Sequence, residues 1–134
     1  MSDEAVLKVE THIPVNFTCS TLVTIEKGAI CTMSDKMTAA TTTAANGIVA
    51  GIAQSEKLAA DTTQDSIAIY RGGIFRVNCC GSVGVGDPVN MGARVNSVKT
   101  ATANEENIIG IMMEAGTDNQ TKLMELRPTT MQLA

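Results

Sequence analysis

The chain has 134 residues, a formal net charge of −4 and 44% hydrophobic residues, but no Trp, one Tyr and two Phe. This length is typical of one domain and allows a core without metals or disulfides. Because aliphatic side chains bury less surface than aromatic ones, we expect a thin core. We therefore expect additional burial in an oligomer or on a host surface.

The rest of the composition excludes several classes of partner. Lys and Arg are scattered singly, whereas phosphate binding needs clustered cations, so no nucleic-acid partner is predicted. No apolar run reaches about 18 residues, so no membrane span is predicted. The N-terminus, Met-Ser-Asp-Glu, is acidic and lacks an apolar stretch, which predicts no secretory signal and synthesis in the cytoplasm.

Residues 1–14 are predicted to form an extended N-terminal arm. They mix polar and apolar side chains, and Pro14 restricts Ile13 to an extended conformation. Such an arm is either disordered or laid across a neighbouring subunit, so we expect it to become ordered only on a partner. The candidate interface residues in the arm are Val6, Leu7, Val9, His12, Ile13 and Pro14.

Residues 15–134 are predicted to form a single all-β domain. Short apolar runs recur between turn residues, and no stretch shows a sustained helical stripe. The expected architecture is a small β-barrel or sandwich of short antiparallel strands. Strands are predicted at residues 48–53, 67–71, 74–78, 89–91, 94–98, 108–113 and 122–126.

Three further segments carry local predictions. Apolar and polar side chains alternate over residues 15–26 with one interruption, which predicts a strand with a bulge. Residues 34–47 predict a loop closed by an Asn46-Gly47 turn, because a run of Thr disfavours a helix. Arg71-Gly72-Gly73 predicts a hairpin between the strands on either side of it.

A weak internal repeat runs through this domain. In each half, a strand that begins after Gly is followed by a strand centred on Gly and then by a strand that ends in Arg. The matched positions have closely similar spacing, which predicts two related β-units that together close one core. The matched pairs are Gly28 with Gly86, Gly51 with Gly110, and Arg71 with Arg127.

The sequence offers little for catalysis or cofactor binding. Its one His, His12, lies in the arm, where an imidazole is not held to the tolerance that catalysis requires. Four cysteines lack the C-x-x-C spacing of a zinc site, so we predict free thiols and no metal. The Gly-rich residues 81–88 match no phosphate-binding loop and predict a tight turn. We therefore predict a non-enzymatic protein with no catalytic residues and no cofactor.

Eight methionines are many for this length, and they have two interpretations. Met fills irregular gaps in a core, and it also adapts to the surface of a partner. Met91 and Met131 are the candidates for a partner-binding role, and core filling is the alternative for both.

Six short motifs follow one another in a fixed order along most of the chain. They are residues 27–30 (Lys-Gly-Ala-Ile), 47–53 (Gly-Ile-Val-Ala-Gly-Ile-Ala), 70–77 (Tyr-Arg-Gly-Gly-Ile-Phe-Arg-Val), 85–89 (Val-Gly-Asp-Pro-Val), 107–111 (Asn-Ile-Ile-Gly-Ile) and 122–126 (Lys-Leu-Met-Glu-Leu). In order and spacing they resemble phage capsid cement proteins of the small β-barrel type, also called head decoration proteins. Two positions depart from the family pattern: Asn90-Met91 stands where many relatives have an aromatic residue, and Cys79-Cys80 is an unexpected pair.

The resemblance implies a homotrimer on the outer surface of the virion. Its partners would be further copies of itself and the major capsid protein, whose subunits it would bridge on the expanded head. A protein that binds only the expanded shell stabilises that shell by mass action. Many copies that each contact several subunits gain further from multivalency.

Three other functions remain open. The chain could be another virion part, such as a tail, baseplate, head-fibre or connector component, and copy number per particle separates these from a cement protein. It could be a carbohydrate-binding module, although sugar sites usually use exposed aromatics and this chain has few. It could also be a Cys hydrolase that uses His12 and one cysteine, which replacement of His12 by Ala would test.

Overall fold

The computed structural model describes residues 4–41, 48–101 and 107–130. Every regular element in these ranges is a strand, so the predicted all-β fold class is confirmed. The strands are β1 (Val6–Val9), β2 (Val15–Cys19), β3 (Ile30–Asp35), β4 (Thr38–Thr41), β5 (Val49–Ala53), β6 (Ser66–Tyr70), β7 (Gly73–Cys79), β8 (Pro88–Met91), β9 (Ser97–Thr100), β10 (Asn107–Met112) and β11 (Thr121–Thr130).

These strands close into two small barrels. In the first barrel the ring order is β2-β4-β3-β5-β6. In the second, β7, β11, β10, β8 and β9 follow one another, and the pairing between β7 and β9 closes the ring. Pairing within the barrels is antiparallel except for β2 with β4 and β7 with β9, which are parallel. The first strand of the chain, β1, lies outside the rings and pairs with β7.

The two barrels are connected in the same way. In each, the ring order of the strands along the chain is first, third, second, fourth and fifth. The glycines matched from the sequence occupy corresponding positions. The N–H of Gly28 donates to the carbonyl of Ala53 at 2.9 Å, and that of Gly86 donates to the carbonyl of Met112 at 2.8 Å. Each barrel therefore turns at Gly before its second strand.

The third matched pair is shifted by one residue. Cross-strand pairing makes Tyr70 of β6 equivalent to Glu125 of β11. Arg71 therefore corresponds to Leu126 rather than to Arg127. The offset between corresponding residues falls from 59 (52 to 111) to 55 (70 to 125) because the loop before β11 is shorter than the loop before β6.

Three local predictions are wrong. Arg71-Gly72-Gly73 does not form a hairpin, because β6 and β7 belong to different barrels. The strand predicted over residues 15–26 ends at Cys19, where the chain turns. The loop predicted at residues 34–47 contains β4, which pairs with β3, and the predicted Asn46-Gly47 turn lies outside the described residues.

Buried side chains form two clusters, and the second cluster joins the barrels. The first cluster lies inside the first barrel and includes Phe17 and Ile25. The second extends from the second barrel to Ile52 and Tyr70 of the first. The rings of Tyr70 and Phe75 meet edge-on across this boundary, with their centroids 5.6 Å apart. The barrels are therefore packed against each other through apolar side chains as well as linked along the chain.

Candidate partner-binding surface

The N-terminal segment, defined here as residues 4–14, runs across both barrels. The N–H of Ala5 donates to the carbonyl of Gly28 in the first barrel at 2.8 Å. The chain then enters β1, which pairs with β7 of the second barrel and places Leu7 opposite Phe75. Leu7 also packs against the cluster that joins the barrels. The described part of the predicted arm thus lies on its own chain.

The end of this segment is held at the junction between the barrels. The hydroxyl of Tyr70 donates to Glu10 Oε2 at 3.0 Å. Burial, followed by this hydrogen bond and the Glu10 charge, raises the pKa of Tyr70. The ring of His12 lies directly on Gly72, where a Cβ atom would overlap it, and its Nδ1 is 2.8 Å from Thr11 Oγ1. These contacts fix the path of the segment.

Four aliphatic side chains are exposed on this segment and at the residue that follows it, beside exposed polar side chains such as Lys8. Ile13 is 83% exposed, and Val6, Val9 and Val15 are exposed as well. We call these four residues the N-terminal apolar surface. Single exposed aliphatic side chains are ordinary on a protein surface, but several on one short fixed segment form a candidate contact surface.

The other predicted interface residues lie elsewhere. Leu7 is partly buried against the core, Pro14 is half-buried and His12 is exposed. Met91 is only 2% exposed and fills the core of the second barrel, which removes it from the surface candidates. Met131 lies outside the described residues. A methionine in an apolar run fits a core and a surface equally well, so its sequence context could not locate Met91.

A second apolar surface, which the sequence did not indicate, lies at loops of the first barrel. Leu22 is 74% exposed, and Val23 and Leu58 are exposed too. We call these three residues the loop-end surface. The loops that carry them are tied together by Lys57, whose Nζ donates to the carbonyl of Thr21 at 2.6 Å and to that of Leu58 at 3.0 Å.

The tie between these loops is unusual because Lys57 is fully buried. Lysine is seldom fully buried, since its ammonium group must be paired or hydrogen-bonded when it leaves water. Two backbone carbonyls meet that need here. No sequence signal could have marked Lys57, because the carbonyls come from positions unrelated to any motif.

The four cysteines are free thiols and differ in their environment. Burial raises the pKa of Cys31 to about 12, and burial also raises the pKa values of Cys19 and Cys79. Cys80 is different, because a hydrogen bond from the backbone at Ala93 lowers its pKa. Cys80 is therefore the thiol that ionises most readily.

The described part of the chain has no cluster of potential metal ligands and no membrane-spanning helix. Over residues 4–41, 48–101 and 107–130, no group of three or more His, Cys, Asp or Glu side chains could hold a metal ion. Within the same ranges, no helix is long and apolar enough to cross a membrane.

An open groove of about 720 Å³ lies between the N-terminal segment and the two barrels. Lys27 and Gly28 border it on the first barrel, and Phe75 borders it on the second. Its charged lining residues are Glu4 and Lys27, one of each sign, so the groove does not select a strongly charged ligand. The groove follows the boundary where the N-terminal segment packs against the two barrels.

Comparison with known proteins identifies a similar fold. No protein-family model matches the chain, and no curated protein matches it. Among solved structures, the chain is similar to the head fibre gp8.5 N base of bacteriophage phi29, with a TM-score of 0.55 and 10% sequence identity. The similarity covers 90% of this chain and 98% of that chain. The two chains therefore share a fold that includes both barrels.

Proposed function

We propose that this chain is a structural protein of a phage virion and that it sits on the outer surface of the head. The observation that carries this proposal is the similarity in fold to the head fibre gp8.5 N base over 90% of the chain. The order of the sequence motifs, which resembles capsid cement proteins, supports the same location independently.

Two forms of this function are candidates. The chain is either the base that holds an appendage on the head or a cement protein that bridges subunits of the major capsid protein on the expanded shell. The fold similarity favours the base, because it covers 98% of the head-fibre base chain. The motif order favours cement, and with it a homotrimer. Both forms require a surface that binds the shell.

We assign shell binding to the N-terminal apolar surface. Burial of one exposed Val or Ile side chain contributes about 1.5–3 kcal/mol before the costs of association. Because β1 is already paired with β7, the segment does not have to be ordered when it binds. Several copies on one particle would add the effect of multivalency to this modest contribution from each site.

Binding to heads tests the proposal. Purified chain is mixed with mature heads that lack it and with unexpanded procapsids, and the bound copies are counted after sedimentation. We expect saturable binding to mature heads. A copy number close to that of the capsid subunits favours cement, and a much smaller number favours the base of an appendage. If the chain binds neither mature heads nor procapsids, the head-surface role is refuted.

Point variants test the assigned surface. Ile13→Asp should weaken head binding by about tenfold, because it places a charge in an apolar contact. Leu22→Asp on the loop-end surface is the matched control, since Leu22 is comparably exposed, and it should leave binding unchanged. The reverse pattern would move the shell contact to the loop-end surface.

A further inference from the structure

The equivalence of the two barrels shows that one of two corresponding surfaces is covered and the other is bare. Gly28 and Gly86 hold the same turn in their barrels, with φ of 85° and 84°. Their N–H groups make the same hydrogen bond to the end of the fourth strand of each barrel. What surrounds these two glycines can therefore be compared position by position.

In the first barrel, the surface at Gly28 is covered by the N-terminal segment. A Cβ atom at Gly28 would lie 2.5 Å from the carbonyl oxygen of Ala5 and 2.8 Å from Glu4 Cβ. The N–H of Ala5 donates to the Gly28 carbonyl at 2.8 Å. Gly28 is consequently buried by an extended stretch of the chain's own backbone.

In the second barrel, the corresponding surface is open. Gly86 is exposed, and a Cβ atom built on it would have no other atom within 4 Å. Among the described residues, no hydrogen bond reaches its carbonyl. Within the described ranges, the turn thus has the shape and the free acceptor that Gly28 uses, but no strand lies on it.

The side chains around the open turn are apolar where the covered turn has polar ones. Val85 stands at the position of Lys27 and is 72% exposed, and Met113 stands at the position of Gln54 and is 46% exposed. Ile111, next to them on β10, is half-buried. We call Val85, Gly86, Ile111 and Met113 the Gly86 surface. Several exposed aliphatic side chains around one uncovered turn form a candidate binding surface.

We propose that the Gly86 surface binds an extended segment of another protein chain. The segment presents a small residue to Gly86, as Ala5 does to Gly28, and donates that residue's N–H to the Gly86 carbonyl. Aliphatic side chains on either side of the small residue pack against Val85 and Met113. Addition of an extended peptide through backbone hydrogen bonds and alternate side chains is an established mode of recognition.

A foreign chain is a better occupant than a second copy of this one. Each chain has two such surfaces and one N-terminal segment, and that segment already covers its own Gly28. Its transfer to a neighbour's Gly86 would expose one glycine turn to cover another, with no net burial. The proposal therefore holds for any partner that offers an extended apolar segment, whether or not the chain binds a phage head.

The test uses the isotope-labelled full chain and a synthetic peptide with the sequence of residues 2–10. This peptide carries the stretch that fits the Gly28 turn. We expect saturable chemical-shift changes at the amides of the Gly86 surface, with one peptide bound per chain. A peptide in which an ester oxygen replaces the backbone N–H of Ala5 is the matched probe, because it keeps every side chain and the size of the backbone but lacks the N–H donor. It should bind about tenfold more weakly.

Two variants and the remaining outcomes complete the test. Val85→Asp should weaken peptide binding by about tenfold, whereas Leu22→Asp should not change it. Both positions are exposed, so neither change should unfold the chain. Shifts confined to Gly28 and its neighbours, or no shifts at saturating peptide, would overturn the proposal. Shifts at Gly86 that depend on protein concentration without peptide would mean that a second copy is the occupant, which also overturns it.

Discussion

Replacement of Gly51 by Ala is expected to be among the most damaging single-methyl changes in this fold. Gly51 lies in the middle of β5 with φ of 144°, a region that residues with a side chain rarely adopt. A Cβ atom there would also overlap the carbonyl oxygen of Tyr70. That oxygen belongs to the backbone of β6, whose Tyr70 pairs with Ile52, so it cannot move without loss of strand pairing.

The magnitude follows from these two effects. The unfavourable φ costs about 1–2 kcal/mol, and the steric overlap costs a further 1–3 kcal/mol or so. We therefore expect Gly51→Ala to lower the free energy of unfolding by about 2–5 kcal/mol, against a typical total of about 5–15 kcal/mol for a domain. Urea unfolding followed by far-ultraviolet circular dichroism measures this difference.

Two matched variants separate the contributions. Gly81 has φ of 92° and open space around it, so Gly81→Ala tests the backbone effect alone. Gly110 has no positive φ, but its Cβ atom would overlap the carbonyl of Glu125, so Gly110→Ala tests the overlap alone. Gly51→Ala should exceed both. If Gly51→Ala is no more destabilising than Gly81→Ala, then the backbone of β6 can move away from the added methyl group at little cost. That result would refute the argument from steric overlap.

Three other predictions follow from the buried groups. Lys57→Met keeps the side-chain volume but leaves two carbonyls without their donor, so it should lower the free energy of unfolding by about 2–4 kcal/mol in urea; an unchanged midpoint would contradict this. Iodoacetamide at mildly alkaline pH should label Cys80 first and Cys31 last, as mass spectrometry of peptides can show, because the pKa of Cys80 is lowered and that of Cys31 is about 12. Glu10→Gln should lower the raised pKa of Tyr70 towards its ordinary value, and because the chain has one Tyr and no Trp, phenolate absorbance reports it directly.

The raised pKa of Tyr70 also predicts the direction in which stability changes with pH. The folded pKa of Tyr70 lies above the ordinary tyrosine value, so the contribution of Tyr70 to stability is present below that value. It is lost as the pH rises through the raised folded pKa. Glu10→Gln should therefore reduce the loss of stability in alkaline solution, and a steeper loss in the variant would contradict the assignment.

Most strands could be located from the sequence because a buried strand needs closely spaced apolar side chains. The runs at residues 48–53 and 108–113 became β5 and β10 for this reason. The partner of each strand could not be located, since pairing depends on residues that are distant along the chain. β6 and β7 are consecutive and nearly adjacent, and yet they lie in different barrels. β4, rich in Thr and Ala, carries no alternating apolar pattern, so its sequence does not indicate a strand.

The surfaces were only partly predictable. Val9 and Ile13 could be identified as candidates because they are apolar residues in a segment without strand alternation. The burial of Lys57 could not, because one of its acceptors lies 36 residues away in another loop. The bare turn at Gly86 becomes meaningful only beside its covered counterpart at Gly28, and that comparison requires both barrels to be seen in three dimensions.

The path of the N-terminal segment has a consequence for the order of folding. β1 leaves the ribosome before the first barrel, but its partner β7 follows only after that entire barrel. The first barrel can therefore complete its own pairings while β1 still lacks a partner. Closure of β1 on β7 depends on contacts of long sequence separation, which form slowly. We therefore expect β1 to pair with β7 late in folding, after the second barrel has been synthesised.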